Sequence, residues 1–226
     1  MEVLDKIKGE SARDYVLRVL KYNILHINLK PGQNISENEI AEELSVSRTP
    51  VREAFIRLSQ EELLEIYPQK GTSVSLINME LVSEGRFVRK TLEKSIVRMA
   101  CIDFWSEELV MELEENMNMQ EFVVSRNNLL KLMDLDEIFH RIIFKYCKKE
   151  RTCSLVEGLS SDFYRIRMLR VKSNSDLDEI LAQHKEIMNS IKERDAERAE
   201  KAMDMHLSSV KSDQEVVKRD FPHFVK

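Results

Sequence analysis

Apolar residues recur at helical spacing along most of the chain, and caps divide the pattern into segments. The first segment covers residues 11–29, with Ser11 as its N-cap and Pro31-Gly32 as its stop. A short second helix begins after Ser36, which forms a capping box with Glu39. The chain is therefore expected to begin with two helices, the second much shorter than the first.

The pattern changes after a tight turn at Ser45-Val46. A third helix is predicted over residues 47–60, followed by two short β-like runs at 64–67 and 72–76. Residues 68–71 join these runs as a turn. A helix, a helix-turn-helix and a two-stranded wing, in that order, predict a winged helix-turn-helix domain over residues 1–77.

The rest of the chain keeps a helical period almost throughout. From Met79 it contains no proline until Pro222 and only two glycines, Gly85 and Gly158. Helices are predicted at about 79–103, 106–124, 128–148, 151–171, 176–193 and 195–215. Residues 78–226 are therefore expected to form an all-α bundle of about six helices, which makes the protein mainly α with two domains.

Composition narrows the class of protein. No apolar run approaches the roughly 20 residues that span a bilayer, and the N-terminus lacks the layout of a signal peptide. Three cysteines, Cys101, Cys147 and Cys153, form no disulfide framework, and their odd number suits a reducing compartment. A cytoplasmic protein without a membrane partner is expected.

The charge balance is acidic, which is unusual for a protein that binds DNA. The net charge is −5, and residues 1–75 carry 10 Lys and Arg against 12 Asp and Glu. DNA binding would then depend on a local basic face and not on the summed charge, because salt screens charges over about 8–10 Å.

The start of the third helix has the chemistry of a DNA-reading element. Arg48 and Arg52 lie at i and i+4, so they share one helix face. The planar guanidinium suits the O6 and N7 acceptors of guanine in the major groove. Ser47 and Thr49 add hydroxyls beside a helix N-terminus, where phosphates bind well. These four residues are predicted to contact double-stranded DNA.

The wing offers a second contact with DNA. Lys70 and Gly71 would let its tip approach the phosphate backbone or the minor groove closely. The alternative is an ordinary surface helix, with the two arginines paired to Glu43, Glu53 or Glu61. The surrounding helix-turn-helix and wing pattern favours DNA binding.

A possible metal site is found in the predicted bundle. Asp136 and His140 project from one helix face, four residues apart, and His184 and His206 on later helices could converge with them. Three imidazoles and a carboxylate suit Zn²⁺, with Ni²⁺, Mn²⁺ and Fe²⁺ as alternatives. The simpler interpretation is that each histidine is a surface residue or a satisfied core residue. Spacing alone does not decide between the two.

Several motifs together resemble a known family of regulators. The first domain is similar to the DNA-binding domain of the GntR family at Leu29-Lys30-Pro31-Gly32, Ile35-Ser36-Glu37, the run from Leu44 to Ala54, Leu58 and Gly71-Thr72. The bundle resembles the FCD subgroup, named after the C-terminal domain of FadR, at Arg89-Lys90-Thr91-Leu92-Glu93, Asp136 to His140, His184 and His206. Asn38 and the Gln69-Lys70 wing tip depart from residues that other members use, which leaves the operator sequence open.

The resemblance implies a homodimeric repressor or activator that reads a two-fold symmetric operator. It also implies that the bundle binds a small carboxylate effector beside a metal ion, with Arg89 facing the cavity. The alternative for Arg89 is an i,i+4 pair with Glu93 on a solvated face. A sensor for which the metal is the signal, and a metal-dependent enzyme acting on a small carboxylate, are the competing functions. The predicted DNA-binding domain argues against the enzyme, because it would serve no purpose there.

Overall fold

Two units, each defined by its internal contacts, make up the protein in the computed structural model, which describes residues 1–69, 71–172, 177–208 and 210–226. The first unit contains Met1–Met79 and Lys218–Lys226, and the second contains Glu80–Val217. The chain is mainly helical, as predicted.

The first unit is a winged helix-turn-helix, which confirms the predicted fold. Its elements are α1 (Ala12–Leu25), β1 (Asn34–Ile35), α2 (Glu37–Glu43), α3 (Arg48–Gln60), β2 (Leu64–Tyr67) and β3 (Gly71–Val74). The strands form an antiparallel sheet in the order β1-β3-β2. The predicted two-stranded wing is present as β2 and β3, and β1 adds a third strand to its sheet. The strand β1 has only two residues, too few to show the alternating pattern of a strand in the sequence. It forms because it pairs with β3.

The first helix ends at Leu25, four residues earlier than predicted. Ile27 adopts the left-handed region with φ 58°, and the N–H groups of Asn28 and Leu29 both donate to the carbonyl oxygen of Asn23. This turn satisfies a terminal carbonyl as a Schellman motif does, without the usual glycine. The chain therefore leaves the helix before Pro31-Gly32.

The hydrophobic core of the first unit holds α3 in place. Val16, Val19 and Leu20 of α1 are fully buried against the apolar face of α3. That face contributes Val51 and Leu58, which are also fully buried. Because this face packs in the core, the polar residues at the start of α3 lie on its solvent-facing side.

The last residues of the chain return to the first unit. The N–H of Ile77 donates to the carbonyl of Phe224 at 2.8 Å, and the N–H of Lys226 donates to the carbonyl of Ile77 at 2.9 Å. Lys226 Nζ also lies 2.7 Å from Glu65 Oε1 on β2. The predicted division placed all of 78–226 in the second domain. These contacts group its last nine residues with the first unit instead.

The second unit is all-α, and the described residues from Met79 to Asp220 form eight helices, where six were predicted for the bundle. They are α4 (Met79–Ile102), α5 (Glu107–Ser125), α6 (Leu129–Tyr146), α7 (Glu150–Leu159), α8 (Ser161–Lys172), α9 (Leu177–Lys192), α10 (Ala196–Ser208) and α11 (Val210–Asp220). Residue 176, the predicted start of one helix, and residue 209, within another, lie outside the described residues.

One predicted helix, 151–171, divides at Ser160. In the predicted helix 195–215, the described residues on the two sides of position 209 form α10 and α11. At the division near Ser160, α4 passes close by. A Cβ added to Gly85 would lie 2.9 Å from the carbonyl oxygen of Leu159, so glycine is needed there. Within the described ranges, no helix has the length and apolar character to cross a membrane.

Candidate DNA interface and metal centre

The N-terminal turn of α3 presents the predicted DNA-contacting residues to solvent. Ser47, Arg48, Thr49 and Arg52 are all exposed. The side chains of Arg48 and Arg52 are 66% and 69% exposed. Ser47 is the N-cap residue, yet its side chain makes no capping hydrogen bond. Both arginines and the helix N-terminus are therefore accessible to a groove.

Glu37 pairs with both arginines. Its Oε1 lies 3.3 Å from Arg52 Nε, and its Oε2 lies 3.8 Å from Arg48 Nη2. The sequence interpretation named Glu43, Glu53 and Glu61 as possible partners and missed Glu37, the first residue of α2. Exposed ion pairs of this kind contribute about 0–1 kcal/mol, so they leave the arginines available to DNA.

The wing tip provides one described residue of the predicted contact. Gly71 is exposed with φ 105°, a conformation that other residues rarely adopt. Lys70, predicted beside it, lies outside the described residues. A backbone without a Cβ at Gly71 lets the tip approach a phosphate closely.

Four side chains of the second unit converge on one point. Asp136 and His140 on α6, His184 on α9 and His206 on α10 are all buried, and one ligand atom from each lies within 4.8 Å of the others. The helices α5, α6, α9 and α10 pack against one another and so bring together residues up to 70 positions apart. The donor set of three imidazoles and a carboxylate could hold a divalent metal ion.

The inward-facing atoms have the arrangement expected around a cation. His140 Nε2 lies 3.2 Å from His206 Nε2, and His184 Nε2 lies 3.2 Å from Asp136 Oδ1. Among the described residues, His184 Nε2 is buried and makes no well-formed hydrogen bond, since its contact with Asp136 Oδ1 lacks hydrogen-bond geometry. A buried polar atom without a partner costs about 1–3 kcal/mol, and coordination to a metal would remove this cost. The residues therefore fit a metal ion.

The ionisation states also suit a metal. Burial alone would raise the pKa of Asp136, but Arg167, bound to both its oxygens, holds that pKa well below the usual range. Burial lowers the pKa of His184, against an opposing effect of Asp136. Burial and the two neighbouring histidines lower the pKa of His206 well below the usual range. An ionised carboxylate and neutral imidazoles are the forms that bind metals.

Arg89 forms the i,i+4 pair with Glu93 that was the alternative considered for it. It pairs with Glu93, its Nε donating to Oε1 at 2.5 Å, but the pair is buried and not solvated. Burial opposes ionisation of Glu93, yet Arg89 and then His140 lower its pKa to about 2. Because Glu93 Oε2 lies 2.5 Å from His140 Nδ1, Arg89 is part of the network around the four ligands.

Two further buried arginines, Arg165 and Arg167, lie on α8. Arg167 donates to both oxygens of Asp136, at 2.7 and 2.6 Å. Arg165 instead donates to Asp162 on its own helix. The residues around the four candidate ligands that the sequence did not indicate are Glu93 as the partner of His140, Gln120 as the partner of His184 and Gln183 as the partner of His206. None of them has a sequence spacing that relates it to its partner.

The protein combines a winged helix-turn-helix with a separate helical domain. Residues 13–74 match the model of the bacterial regulatory proteins of the gntR family, and residues 86–209 match the FCD domain. The chain therefore belongs to the GntR family and carries an FCD domain.

Relatives along the whole chain have the same kind of function. The HTH-type transcriptional repressor RspR of Escherichia coli K12 is 32% identical over 195 residues, covering 86% of this chain and 85% of that protein. A regulator from an unstable DNA locus of Streptomyces ambofaciens is 32% identical over 220 residues, covering 95% and 89%. The protein is thus a DNA-binding transcriptional regulator and not an enzyme.

Solved structures support the fold. The structure of E. coli McbR/YncC superposes with a TM-score of 0.80 at 20% identity, covering 90% of this chain and 96% of that one. A GntR regulator from Rhodococcus sp. RHA1 gives a TM-score of 0.77, also at 20% identity, covering 92% and 98%. The winged helix-turn-helix followed by an all-α unit is therefore a fold that this protein shares with these regulators.

Proposed function

We propose that the protein is a homodimeric repressor whose second unit binds a divalent metal ion and a small carboxylate effector. Effector binding would change operator affinity by favouring one of two states of the regulator. The observation that carries the proposal is the buried cluster of Asp136, His140, His184 and His206 beside two buried arginines. Repression, as opposed to activation, is supported by the function of the relative RspR.

In the proposed complex with DNA, Arg48 and Arg52 read base edges in the major groove. Ser47, Thr49 and the N-terminus of α3 bind phosphates, and the wing tip at Lys70 and Gly71 approaches the backbone. A homodimer presents two such heads, so the operator would be two-fold symmetric. Arg48→Ala is expected to abolish specific operator binding and to leave the fold intact, because the side chain is exposed.

The metal would be held by the carboxylate and three imidazoles of the cluster. Zn²⁺ suits this donor set best, and Ni²⁺, Mn²⁺ and Fe²⁺ also accept it. When bound, the ion supplies positive charge and open coordination positions for an effector carboxylate.

The charges around the cluster favour an anionic effector. Arg167 pairs with Asp136, and Arg89 pairs with Glu93 and lies 3.9 Å from Glu137 Oε1. A divalent ion adds two positive charges to this buried region, where two arginines and three carboxylates already meet. An anion would offset them, because an uncompensated buried charge is costly. Arg89 would also be able to bind a carboxylate through its planar fork.

Identifying what co-purifies with the protein tests this function. The protein would be purified without chelator, denatured, and its released small molecules identified by mass spectrometry. A bound carboxylate that also changes operator affinity on re-addition would support the proposal. If carboxylates neither co-purify nor alter operator binding at millimolar concentration, the effector role is wrong.

A metal sensor is the second candidate function. It is favoured by the completeness of the donor set, because four buried ligands could make the ion itself the signal. Operator release on adding metal alone would favour the sensor. Release that requires both metal and a carboxylate would favour the leading proposal.

A further inference from the structure

We propose that Gln120, oriented by Asn116, is a positioning residue that sets the tautomer of His184 and directs its Nε2 lone pair into the cluster. The role of Gln120 in metal coordination rests on the proposed metal binding, whereas the tautomer of His184 is a property of the metal-free protein. Asn116 and Gln120 lie on α5, which contributes no ligand to the cluster.

The first step is the contact on the outer side of the imidazole. His184 Nδ1 lies 2.8 Å from Gln120 Oε1, and both side chains are fully buried. An amide oxygen can only accept a hydrogen bond, so this contact requires a proton on Nδ1. A neutral imidazole carries one proton, so with that proton on Nδ1 the lone pair is on Nε2, which lies 3.2 Å from Asp136 Oδ1, a competing acceptor.

The second step is the orientation of the Gln120 amide. Its Nε2 donates to Asn116 Oδ1 at 2.7 Å, and Asn116 Nδ2 donates to the backbone carbonyl of Leu135 at 3.2 Å. The carbonyl oxygen of Leu135 is an acceptor only, so the Asn116 amide cannot be reversed without losing this bond. The Asn116 amide in turn holds the Gln120 oxygen toward His184. The backbone carbonyl of Leu135, one residue before Asp136, thus fixes the orientation of the Asn116 amide and, through it, that of Gln120.

The third step is the same arrangement at the other two histidines. His206 Nδ1 lies 2.9 Å from Gln183 Oε1, while Gln183 Nε2 donates to Glu179 Oε1 at 3.0 Å. His140 Nδ1 lies 2.5 Å from Glu93 Oε2. Each imidazole therefore has an oxygen acceptor at Nδ1.

The consequence for His184 is an Nε2 lone pair that faces the cluster, beside the Nε2 atoms of His140 and His206, which lie 3.2 Å apart and share a hydrogen bond. Partners that fix the tautomer of a ligating histidine commonly change metal affinity about 10–100-fold when they are removed. Gln120 lies in the most buried of the three arrangements. Its loss would therefore leave the His184 ring without a defined tautomer.

The experiment uses the full-length protein, ¹⁵N-labelled at histidine, with three variants. Gln120→Leu removes the acceptor, Gln120→Glu retains an acceptor oxygen, and Leu113→Ala on the same helix removes core packing but no hydrogen-bonding group. Imidazole ¹⁵N spectra of the metal-free protein report the tautomer. Co²⁺ affinity and the visible absorption spectrum of bound Co²⁺ report the geometry of the site.

We expect His184 to carry its proton on Nδ1 in the wild type, Gln120→Glu and Leu113→Ala. Gln120→Leu should lose this preference, bind Co²⁺ about 10–100-fold more weakly and change its spectrum. A proton on Nε2 in the wild type would overturn the inference whether or not any variant folds, as would unchanged Co²⁺ affinity and spectrum in Gln120→Leu. A wild type that has the Nδ1 proton but binds no metal would support the tautomer assignment and contradict the proposed metal site.

Discussion

Arg167 and Asp136 form a buried bidentate pair, with Nη1 and Nη2 of the guanidinium donating to the two carboxylate oxygens at 2.7 and 2.6 Å. The same carboxylate is one of the four candidate metal ligands. Arg167 thus keeps Asp136 ionised in the interior, which prepares the carboxylate for a cation but also adds a positive charge beside it.

Replacing Arg167 tests the energetic role of this pair. Arg167→Met is expected to lower the free energy of unfolding of the metal-free protein by about 3–5 kcal/mol, because it leaves a buried charge uncompensated. Zn²⁺ should recover part of this loss by binding Asp136. Urea denaturation with and without Zn²⁺ measures both effects.

The control for this variant is Arg141→Met. Arg141 also pairs with a carboxylate, Glu157, at 2.8 Å, but its side chain is 55% exposed. Its loss should cost about 0–1 kcal/mol. Similar losses in the two variants would show that burial does not determine the strength of the Arg167–Asp136 pair.

Glu37→Gln tests the pairing of one carboxylate with both DNA-reading arginines. Removing the negative charge frees Arg48 and Arg52 from a competitor of phosphate, so non-specific DNA affinity at low salt should rise about fivefold, or ~1 kcal/mol. The ratio of specific to non-specific affinity should fall. Fluorescence anisotropy with operator and random duplexes measures the ratio.

Glu61→Gln is the matched control for this substitution. Glu61 pairs with Arg57 and Lys21 in the same unit but not with the exposed arginines at the start of α3. An equal rise in non-specific affinity for both variants would indicate a general charge effect and argue against a specific role of Glu37.

Stability of the metal-free protein should fall between pH 7.5 and pH 5.5. Burial lowers the pKa of His206 in the folded protein, so the unfolded chain takes up a proton near its ordinary pKa of about 6.5 while the folded chain does not. The stability associated with neutral His206 is complete above this pH and is lost as the pH falls below it. The loss reaches about 1.4 kcal/mol at pH 5.5.

Denaturation with chelator present at the two pH values measures this loss. His206→Gln should show a smaller difference between the two values, whereas His223→Gln, at an exposed position, should match the wild type. An unchanged difference in His206→Gln would show that this imidazole does not contribute to the pH dependence.

Deleting residues 222–226 tests the return of the C-terminus to the first unit. The deletion removes two backbone hydrogen bonds to Ile77 and the pair between Lys226 and Glu65. Each hydrogen bond contributes about 0.5–1.5 kcal/mol, so the first unit should unfold at a lower urea concentration. Lys226→Met, which removes only the exposed pair, should have little effect. Equal stability of the deletion and the full chain would contradict the structural role of the segment.

Local signals in the sequence predicted the helices and strands. They also placed two of the four candidate metal ligands on one helix face. Ser11 and Ser36 cap α1 and α2 as expected, because capping depends on residues three positions apart. Asp136 and His140 share a face of α6 because of helix geometry alone.

Contacts made through tertiary packing could not be predicted in the same way. Gln120 and Arg167 meet the cluster only because α5 and α8 pack near α6 and α9, and no spacing in the chain encodes that packing. Likewise β1 has two residues and depends on its pairing with β3. Such features are determined by long-range contacts, which a single sequence does not display.

The metal content of the purified protein tests the central claim most directly. Wild type and His184→Ala, purified identically without chelator, would be compared by elemental analysis, with circular dichroism to show that both are folded. We predict one divalent ion per chain in the wild type and a large loss in the variant, because the variant lacks one of the four ligands. Equal metal content in the two proteins, or none in a wild type supplied with Zn²⁺, would contradict the account.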